Sequence, residues 1–195
     1  MTKKVLFILG HPSPKSLCKA LLDSYQNGAE CSNTICRSII ISDLKFNINL
    51  AEGYKDRETM PLEDDIIHAQ HLIQWADHIV MAYPTWWGSM PATAKGFIDR
   101  VLLPGFAFRY HKGKPFPEKL LKGKSIRLLV TMDTPKWWFY LVYHAAQYKM
   151  LKKLVFGYVG FSPVKFSTFG AVRKSTENNR KIWLNKVEKL GKQLK

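Results

Sequence analysis

Length, composition and charge already exclude several classes of protein. The chain has 195 residues, 46% of them hydrophobic, which favours one domain, residues 1–195; no apolar run is long enough to span a membrane, so we expect a cytoplasmic protein. The formal net charge of +15 predicts affinity for anionic partners, such as the phosphates of a small ligand or an acidic membrane face, but no nucleic-acid-binding module accompanies it.

The first predicted element is a strand from Lys3 to Leu9, which leads through a loop into a helix beginning near Leu17. The loop would place Ser13, Ser16 and the first backbone N–H groups of the helix around one point. Because a helix N-terminus favours negative charge, we expect one terminal phosphate to bind here; an ordinary helix capped by Ser16 is the alternative. The glycine patterns of NAD-binding Rossmann proteins and nucleoside triphosphatases are absent.

Two more strands and a helix are predicted in the next part of the chain. Thr34–Ile41 has the composition of a strand and Leu62–Trp75 the spacing of an amphipathic helix, with a long polar connection at Lys45–Pro61 between them. Ile79–Ala82 is an uninterrupted apolar run, which is typical of a parallel strand covered on both faces. That strand must end at Pro84, which has no N–H to give to a sheet.

A site for a flat ligand is predicted just beyond this third strand. Thr85, Trp86 and Trp87 follow its carboxyl end, where open α/β sheets bind their ligands. Two adjacent indoles cannot easily both point into one core, so we expect them to line the site; packing in a core or an interface is the alternative. The next helix is expected to begin near Ser89 and Pro91.

The rest of the chain continues the alternation of strands and helices. Predicted here are a fourth strand at Ser125–Thr131, a helix at Trp137–Lys153, a fifth strand at Pro163–Phe169 and a closing helix at Ser175–Leu194. This alternation predicts an α/β protein in three layers, a five-stranded parallel sheet with helices on both faces. The one-phosphate loop favours the strand order 2-1-3-4-5.

The three cysteines support neither a disulfide framework nor a metal site. Cys18, Cys31 and Cys36 are odd in number and form no C-x-x-C pair, so we expect them to be reduced. Cys18 also falls in the first turn of the predicted first helix, and we include it among the cofactor-binding candidates.

Two motifs together resemble a known family. The stretch Tyr83–Phe108, YPTWWGSMPATAKGFIDRVLLPGFAF, and the G-H-P-x-x-x-S loop at residues 10–16 resemble the FMN-dependent NAD(P)H:quinone oxidoreductases of the flavodoxin-like superfamily, which include azoreductase-like and potassium-efflux ancillary members. The resemblance covers nearly the whole chain. It implies a flavodoxin-like fold, FMN as cofactor and NAD(P)H as co-substrate, with two-electron reduction of quinones or similar acceptors by a ping-pong hydride transfer.

The resemblance also assigns cofactor contacts to particular residues. It implies that the FMN phosphate is surrounded by His11, Ser16 and Leu17, and that the isoalloxazine ring is lined by Pro84, Thr85, Trp86 and Trp87. Thr131 and Met132 would begin a third flavin loop, which continues with Asp133 and Thr134, and Ser13 and Cys18 are further cofactor-binding candidates beside the phosphate. The relatives resemble T-T-G-G in this last loop. Asp133 is therefore a departure from the pattern, and an inward-facing carboxylate would alter the redox potential of the flavin.

The catalytic role in proton transfer has three candidates. Tyr140, Tyr143 and His144 follow the third loop, and any of them could protonate a quinone oxygen; packing within a helix is the alternative. Backbone N–H groups of residues 131–134 would stabilise negative charge on the reduced ring.

Partners follow from the same resemblance and from charge. We expect a homodimer, because Pro104–Tyr110 would expose several large apolar side chains on a lone subunit. The alternatives to a quinone reductase are a flavodoxin-type electron carrier and an ancillary subunit of a membrane transporter, and the basic surface also permits peripheral contact with an anionic membrane.

Overall fold

Five parallel strands form the central sheet of the protein. The computed structural model describes residues 2–49 and 61–194, so most of the predicted polar connection at Lys45–Pro61 lies outside the described residues. The strands are β1 Lys3–Leu9, β2 Thr34–Ile40, β3 His78–Pro84, β4 Ser125–Thr131 and β5 Val164–Phe169. Their spatial order is β2-β1-β3-β4-β5, which confirms the predicted order 2-1-3-4-5.

The middle strand, β3, explains why several loops meet at one edge. All seven of its residues are buried, as expected of a parallel strand with helices on both faces. In register, Leu9 of β1 lies beside Ala82, and Pro84 lies beside Thr131 of β4. The carboxyl ends of β1, β3 and β4 therefore open onto the same edge of the sheet.

Seven α-helical segments cover the two faces in the described residues. They are α1 Leu17–Glu30, α2 Asp64–Trp75, α3 Ala92–Val101, α4 Lys136–Leu141, α5 Ala146–Met150, α6 Gly157–Val159 and α7 Glu177–Lys192. A π-helical segment, Leu151–Phe156, joins α5 to α6, and two 3-10 turns lie at Ile41–Asp43 and Val172–Lys174. Phe108–Arg109 and Glu118–Lys119 pair as a short antiparallel ribbon.

Each face of the sheet carries its own apolar core. One core lies under α2, α3 and the segment from α5 to α6, and the other lies under α1 and α7. Glycines bring α1 and α7 into backbone contact, because a Cβ at Gly28 would lie 2.1 Å from the Glu188 carbonyl oxygen, and one at Gly191 would lie 2.1 Å from that of Tyr25. This packing fixes α1, whose N-terminus faces the carboxyl edge of the sheet.

Several predicted boundaries change in the structure. The helix expected at Trp137–Lys153 is wrong as a continuous element, because His144 and Ala145 adopt the left-handed conformation (φ 49° and 47°) and break it. The closing helix is shorter than predicted, since Thr176 caps it by accepting from the backbone N–H of Asn179.

The structure also alters the apolar surface from which the sequence predicted a homodimer. Within Pro104–Tyr110, Phe106 and Phe108 pack against the first core, and Tyr110 is the one large apolar side chain that is well exposed. No helix in residues 2–49 and 61–194 is long and apolar enough to cross a bilayer.

Candidate functional site

Two adjoining cavities open at the carboxyl edge of the sheet. The α1 cavity, about 320 Å³, is lined by His11, Ser13, Lys15, Ser16, Leu17, Cys18, Pro84, Thr85, Trp86, Thr131, Met132, Asp133 and Val172. The aromatic cavity, about 610 Å³, is lined by Thr85, Trp87, Gly88, Met132, Asp133, Thr134, Phe139, Tyr143, Ala146 and Gln147. Thr85, Met132 and Asp133 line both, so an elongated ligand could pass from one to the other. Every cofactor-binding candidate from the sequence lines one of the two.

The α1 cavity is built to receive an anion. Ser16 caps α1 by accepting from the backbone N–H of Lys19 at 3.3 Å, which leaves the N–H groups of Leu17 and Cys18 at the open start of the helix. Ser13 adds a hydroxyl, and Lys15, which the sequence prediction missed, adds a positive charge. The helix dipole and these donors together favour a phosphate-like group.

His11 organises the loop that precedes α1. Its Nδ1 accepts a hydrogen bond from the backbone N–H of Ser13 at 2.9 Å. Its ring also packs edge-to-face against Trp86, with centroids 6.1 Å apart. His11 therefore connects the loop after β1 to the loop after β3.

Cys18 lies at the floor of the α1 cavity as an inert thiol. It is 1% exposed, and its Sγ lies 3.2 Å from Thr131 Oγ1. Burial raises the pKa of this thiol to about 11, so it stays protonated at neutral pH. Its role in the cavity is that of a small uncharged contact rather than a nucleophile.

The loop after β3 forms a tight turn that presents Trp87. Trp86 and Ser89 exchange backbone hydrogen bonds of 2.8 and 3.0 Å, and the two residues between them, Trp87 and Gly88, have φ of 49° and 75°. A left-handed tryptophan is strained, and such strain concentrates at ligand sites. The indole of Trp87 is fully exposed and stands at the aromatic cavity.

The loop after β4 corrects two details expected from the sequence. The backbone N–H of Met132 is used in the sheet, donating to the Phe169 carbonyl at 2.9 Å, so it cannot also serve a ligand. The carboxylate of Asp133 accepts from the Arg173 backbone N–H and pairs with Arg173 Nε, both at 3.0 Å. That pairing offsets the charge of Asp133. The N–H groups of Asp133 and Thr134 have no partner within residues 2–49 and 61–194.

Of the three proton-donor candidates, the structure brings only Tyr143 to a cavity wall. Tyr140 instead bonds through its hydroxyl to Thr168 Oγ1 at 2.9 Å, and His144 is exposed on the left-handed corner. The same corner turns the chain so that Gln147, 6% exposed, reaches the aromatic cavity. No sequence signal pointed to Gln147, because its position depends on a helix break that the periodicity did not show.

Comparison with known proteins decides the family. The family model described as the flavodoxin-like fold matches residues 3–194. This chain belongs to that family. A Haemophilus influenzae flavodoxin-like relative named as an uncharacterized NAD(P)H oxidoreductase is 30% identical, over 92% of this chain and 89% of its own length. The crystal structure of Smu.1420 from Streptococcus mutans superimposes with a TM-score of 0.84 at 28% identity, covering 97% of this chain and 99% of that one.

Further relatives of this flavodoxin-like chain carry more specific names. The human ribosyldihydronicotinamide dehydrogenase [quinone] is 31% identical over 66% of this chain, and the match spans 63% of the human protein. An FMN-dependent NADH:quinone oxidoreductase of Bordetella avium is 38% identical over 41% of this chain and 37% of its own length. The chain thus spans less than two thirds of both of these relatives. These relatives are named as oxidoreductases or dehydrogenases, and the chain is accordingly an oxidoreductase.

Proposed function

We propose that this protein is an FMN-dependent NAD(P)H oxidoreductase that reduces quinones or similar acceptors by two electrons. The observation that carries the proposal is the pair of adjoining cavities, one with an anion-binding helix start and the other with aromatic walls. This arrangement fits a ligand that has a phosphate at one end and a flat ring at the other. The names of the relatives from Haemophilus influenzae and Bordetella avium support the same cofactor and co-substrate.

The residues of the α1 cavity would hold the FMN phosphate. The N–H groups of Leu17 and Cys18 and the hydroxyls of Ser13 and Ser16 would donate to its oxygens, while Lys15 supplies charge. Pro84, Thr85, Trp86, Trp87 and the third loop would then flank the ring where the two cavities adjoin.

FMN, when bound, supplies the hydride and electron chemistry. The chain's own part is to orient the two substrates and to stabilise charge. The N–H groups of Asp133 and Thr134, which have no partner among the described residues, would donate to negative charge at the ring edge, and the Arg173 side chain would offset the Asp133 carboxylate. The aromatic cavity leaves room for NAD(P)H and the acceptor to occupy one place in turn, which predicts ping-pong kinetics.

Proton delivery to the acceptor is assigned to Tyr143. It alone among the three candidates lines the aromatic cavity, whereas the Tyr140 hydroxyl is engaged by Thr168. Tyr143→Phe should slow the quinone step by roughly 10²-fold, at the low end of general-acid contributions. Tyr140→Phe is the matched control and should leave that step unchanged. If both variants and the wild type reduce the quinone at equal rates, Tyr143 is not the general acid.

A homodimer is the expected assembly. Trp87 and Tyr110 expose large aromatic surfaces that a second copy would cover. Light scattering should give twice the chain mass at micromolar concentration. A flavin-loaded monomer would reject this assembly.

Peripheral contact with an anionic membrane or a transporter is a second expectation. Residues 134–176 contain no Asp or Glu, and they expose Trp137, Leu141 and Leu154 beside several lysines. Such a surface suits an anionic interface. The fraction of protein that sediments with anionic vesicles should fall as the salt concentration rises. Binding that depends on neither lipid charge nor salt concentration would argue against this membrane contact. The unpaired thiols, with Cys18 buried, fit the reducing cytoplasm that we propose as its location.

The kinetic experiment varies NADH or NADPH against a soluble quinone. Parallel double-reciprocal lines, with one FMN per chain found by mass spectrometry of the released ligand, are the expected result. Intersecting lines would reject the shared pocket. Release of FAD alone, or of no flavin after incubation with FMN, would reject the cofactor.

A further inference from the structure

Gln147 carries a buried hydrogen-bond donor that no described residue accepts. The side chain is 6% exposed, and its Nε2 has no hydrogen-bond partner among the described residues. Leaving a buried amide donor unpaired destabilises the fold, so such groups are rare unless another molecule accepts the hydrogen bond. Gln147 also lines the aromatic cavity.

The amide is held in a fixed orientation by the loop after β3. Gln147 Oε1 accepts from the hydroxyl of Thr85 at 3.3 Å, and the backbone N–H of Thr85 donates to the Thr131 carbonyl at 2.7 Å. Thr85 lines both cavities. Because the oxygen of the amide is occupied in this way, the part of Gln147 left for a ligand is the donor.

The backbone just before Gln147 adopts an unfavourable conformation, which brings Gln147 to this position. His144 and Ala145 are consecutive left-handed residues without glycine, and α5 begins directly after them. The left-handed conformation is unfavourable for residues other than glycine, and such strain concentrates at functional sites. The corner buries Gln147 while leaving His144 in solvent.

We propose that Gln147 Nε2 donates a hydrogen bond to a carbonyl oxygen of the planar conjugated ring that fills the aromatic cavity. The proposal rests on the proposed function, which offers two sources of that carbonyl: the dione edge of the flavin and the carbonyl of a quinone acceptor. Both gain negative charge at oxygen on reduction, and a fixed neutral donor stabilises that charge without itself changing protonation state.

The test compares Gln147→Met with the wild type. Methionine keeps the approximate length of the side chain and removes both the Nε2 donor and the Oε1 that accepts from the Thr85 hydroxyl. Gln70→Met is the matched control, since Gln70 is also part-buried but its Nε2 already donates to the Val101 carbonyl, away from both cavities. Three quantities are measured for each protein: the FMN dissociation constant by fluorescence titration, the flavin midpoint potential, and kcat/KM for a quinone and for ferricyanide, which has no carbonyl.

A flavin contact predicts that Gln147→Met weakens FMN binding roughly 3- to 10-fold, or lowers the midpoint potential, with quinone and ferricyanide affected alike. A quinone contact predicts unchanged FMN binding and a roughly 3- to 10-fold loss of kcat/KM for the quinone only. Either result supports the donor role. The proposal is overturned if Gln147→Met matches Gln70→Met in all three measurements. If the wild type binds no FMN and reduces no quinone, the proposed function fails instead, independently of Gln147.

Discussion

The two ends of the central sheet differ in whether their buried polar groups have hydrogen-bond partners. At the amino end of β3, His78 is 3% exposed, and its two ring nitrogens lie 3.1 Å from the Tyr25 hydroxyl and 2.8 Å from Ser125 Oγ. At the carboxyl end, Gln147 has a buried donor without a partner in residues 2–49 and 61–194, and Trp87 is strained and exposed. Paired groups stabilise the fold, while unpaired groups are available to a ligand. We therefore propose that the amino end chiefly stabilises the fold and that the carboxyl end chiefly binds the ligand.

The largest expected effect is a loss of stability in acid that originates at the amino end. Burial, helped by the positive charge of Arg127, lowers the pKa of His78 from 6.5 to about 4. Between these two pH values, His78 is therefore mostly protonated in the unfolded chain and mostly neutral in the folded chain. This should reduce the free energy of unfolding by about 3 kcal/mol as pH falls from 6.5 to 4, with no further loss from this group below pH 4. Urea unfolding across this range measures it.

Replacing the histidine should remove that dependence at a cost in stability. His78→Leu deprives Ser125 of its partner, so the unfolding free energy at pH 7 should fall by about 2 kcal/mol, while the slope between pH 6.5 and 4 becomes shallower. His71→Leu, an exposed change on α2, is the control and should do neither. FMN affinity of the folded His78→Leu protein should match the wild type. A variant that lost flavin but kept stability would reverse the assignment of the two ends.

The corresponding test at the carboxyl end measures the unfolding free energy of Gln147→Met. The variant removes the Nε2 donor, which has no partner among the described residues, and also the Oε1 that accepts from Thr85, so the unfolding free energy of the protein without FMN should change by less than about 1 kcal/mol in either direction. Chemical denaturation of the flavin-free protein checks this. A fall of 2 kcal/mol or more would mean that Gln147 is chiefly a structural residue.

The sequence predicted the strands better than the contacts between distant residues at either end of the sheet. The strands and their order follow from local patterns, because a buried parallel strand and a helix start each have a short signature, whereas the resemblance to a known family supplied most of the loop residues assigned to a cofactor. Gln147 has no such signature, since it reaches the cavity only through the left-handed corner at His144 and Ala145. The pairing of His78 with Tyr25 likewise joins residues far apart in the chain. Tertiary contacts, which periodicity does not encode, decide both.

The smallest expected effect concerns the exposed pair of Arg173 and Asp133 at the carboxyl end. Arg173→Gln should change the unfolding free energy by less than about 0.5 kcal/mol, because exposed ion pairs contribute little. It should nevertheless lower the flavin midpoint potential, since the carboxylate of Asp133 would no longer be offset. Lys174→Gln removes the same charge from the neighbouring exposed residue and is the control. Equal potentials in the two variants would show that the pair does not influence the ring.

The most direct test of the account is an anaerobic titration of the purified protein with FMN and then NAD(P)H. The account predicts saturation at one FMN per chain, loss of the yellow flavin absorbance on adding NADH or NADPH, and its full return on adding a quinone. A Lys15→Glu variant, which reverses charge in the α1 cavity, should saturate only at higher FMN concentration. Wild-type protein that binds no FMN, or whose bound FMN is not bleached by either nicotinamide cofactor, would contradict the assignment of the carboxyl edge as an oxidoreductase site.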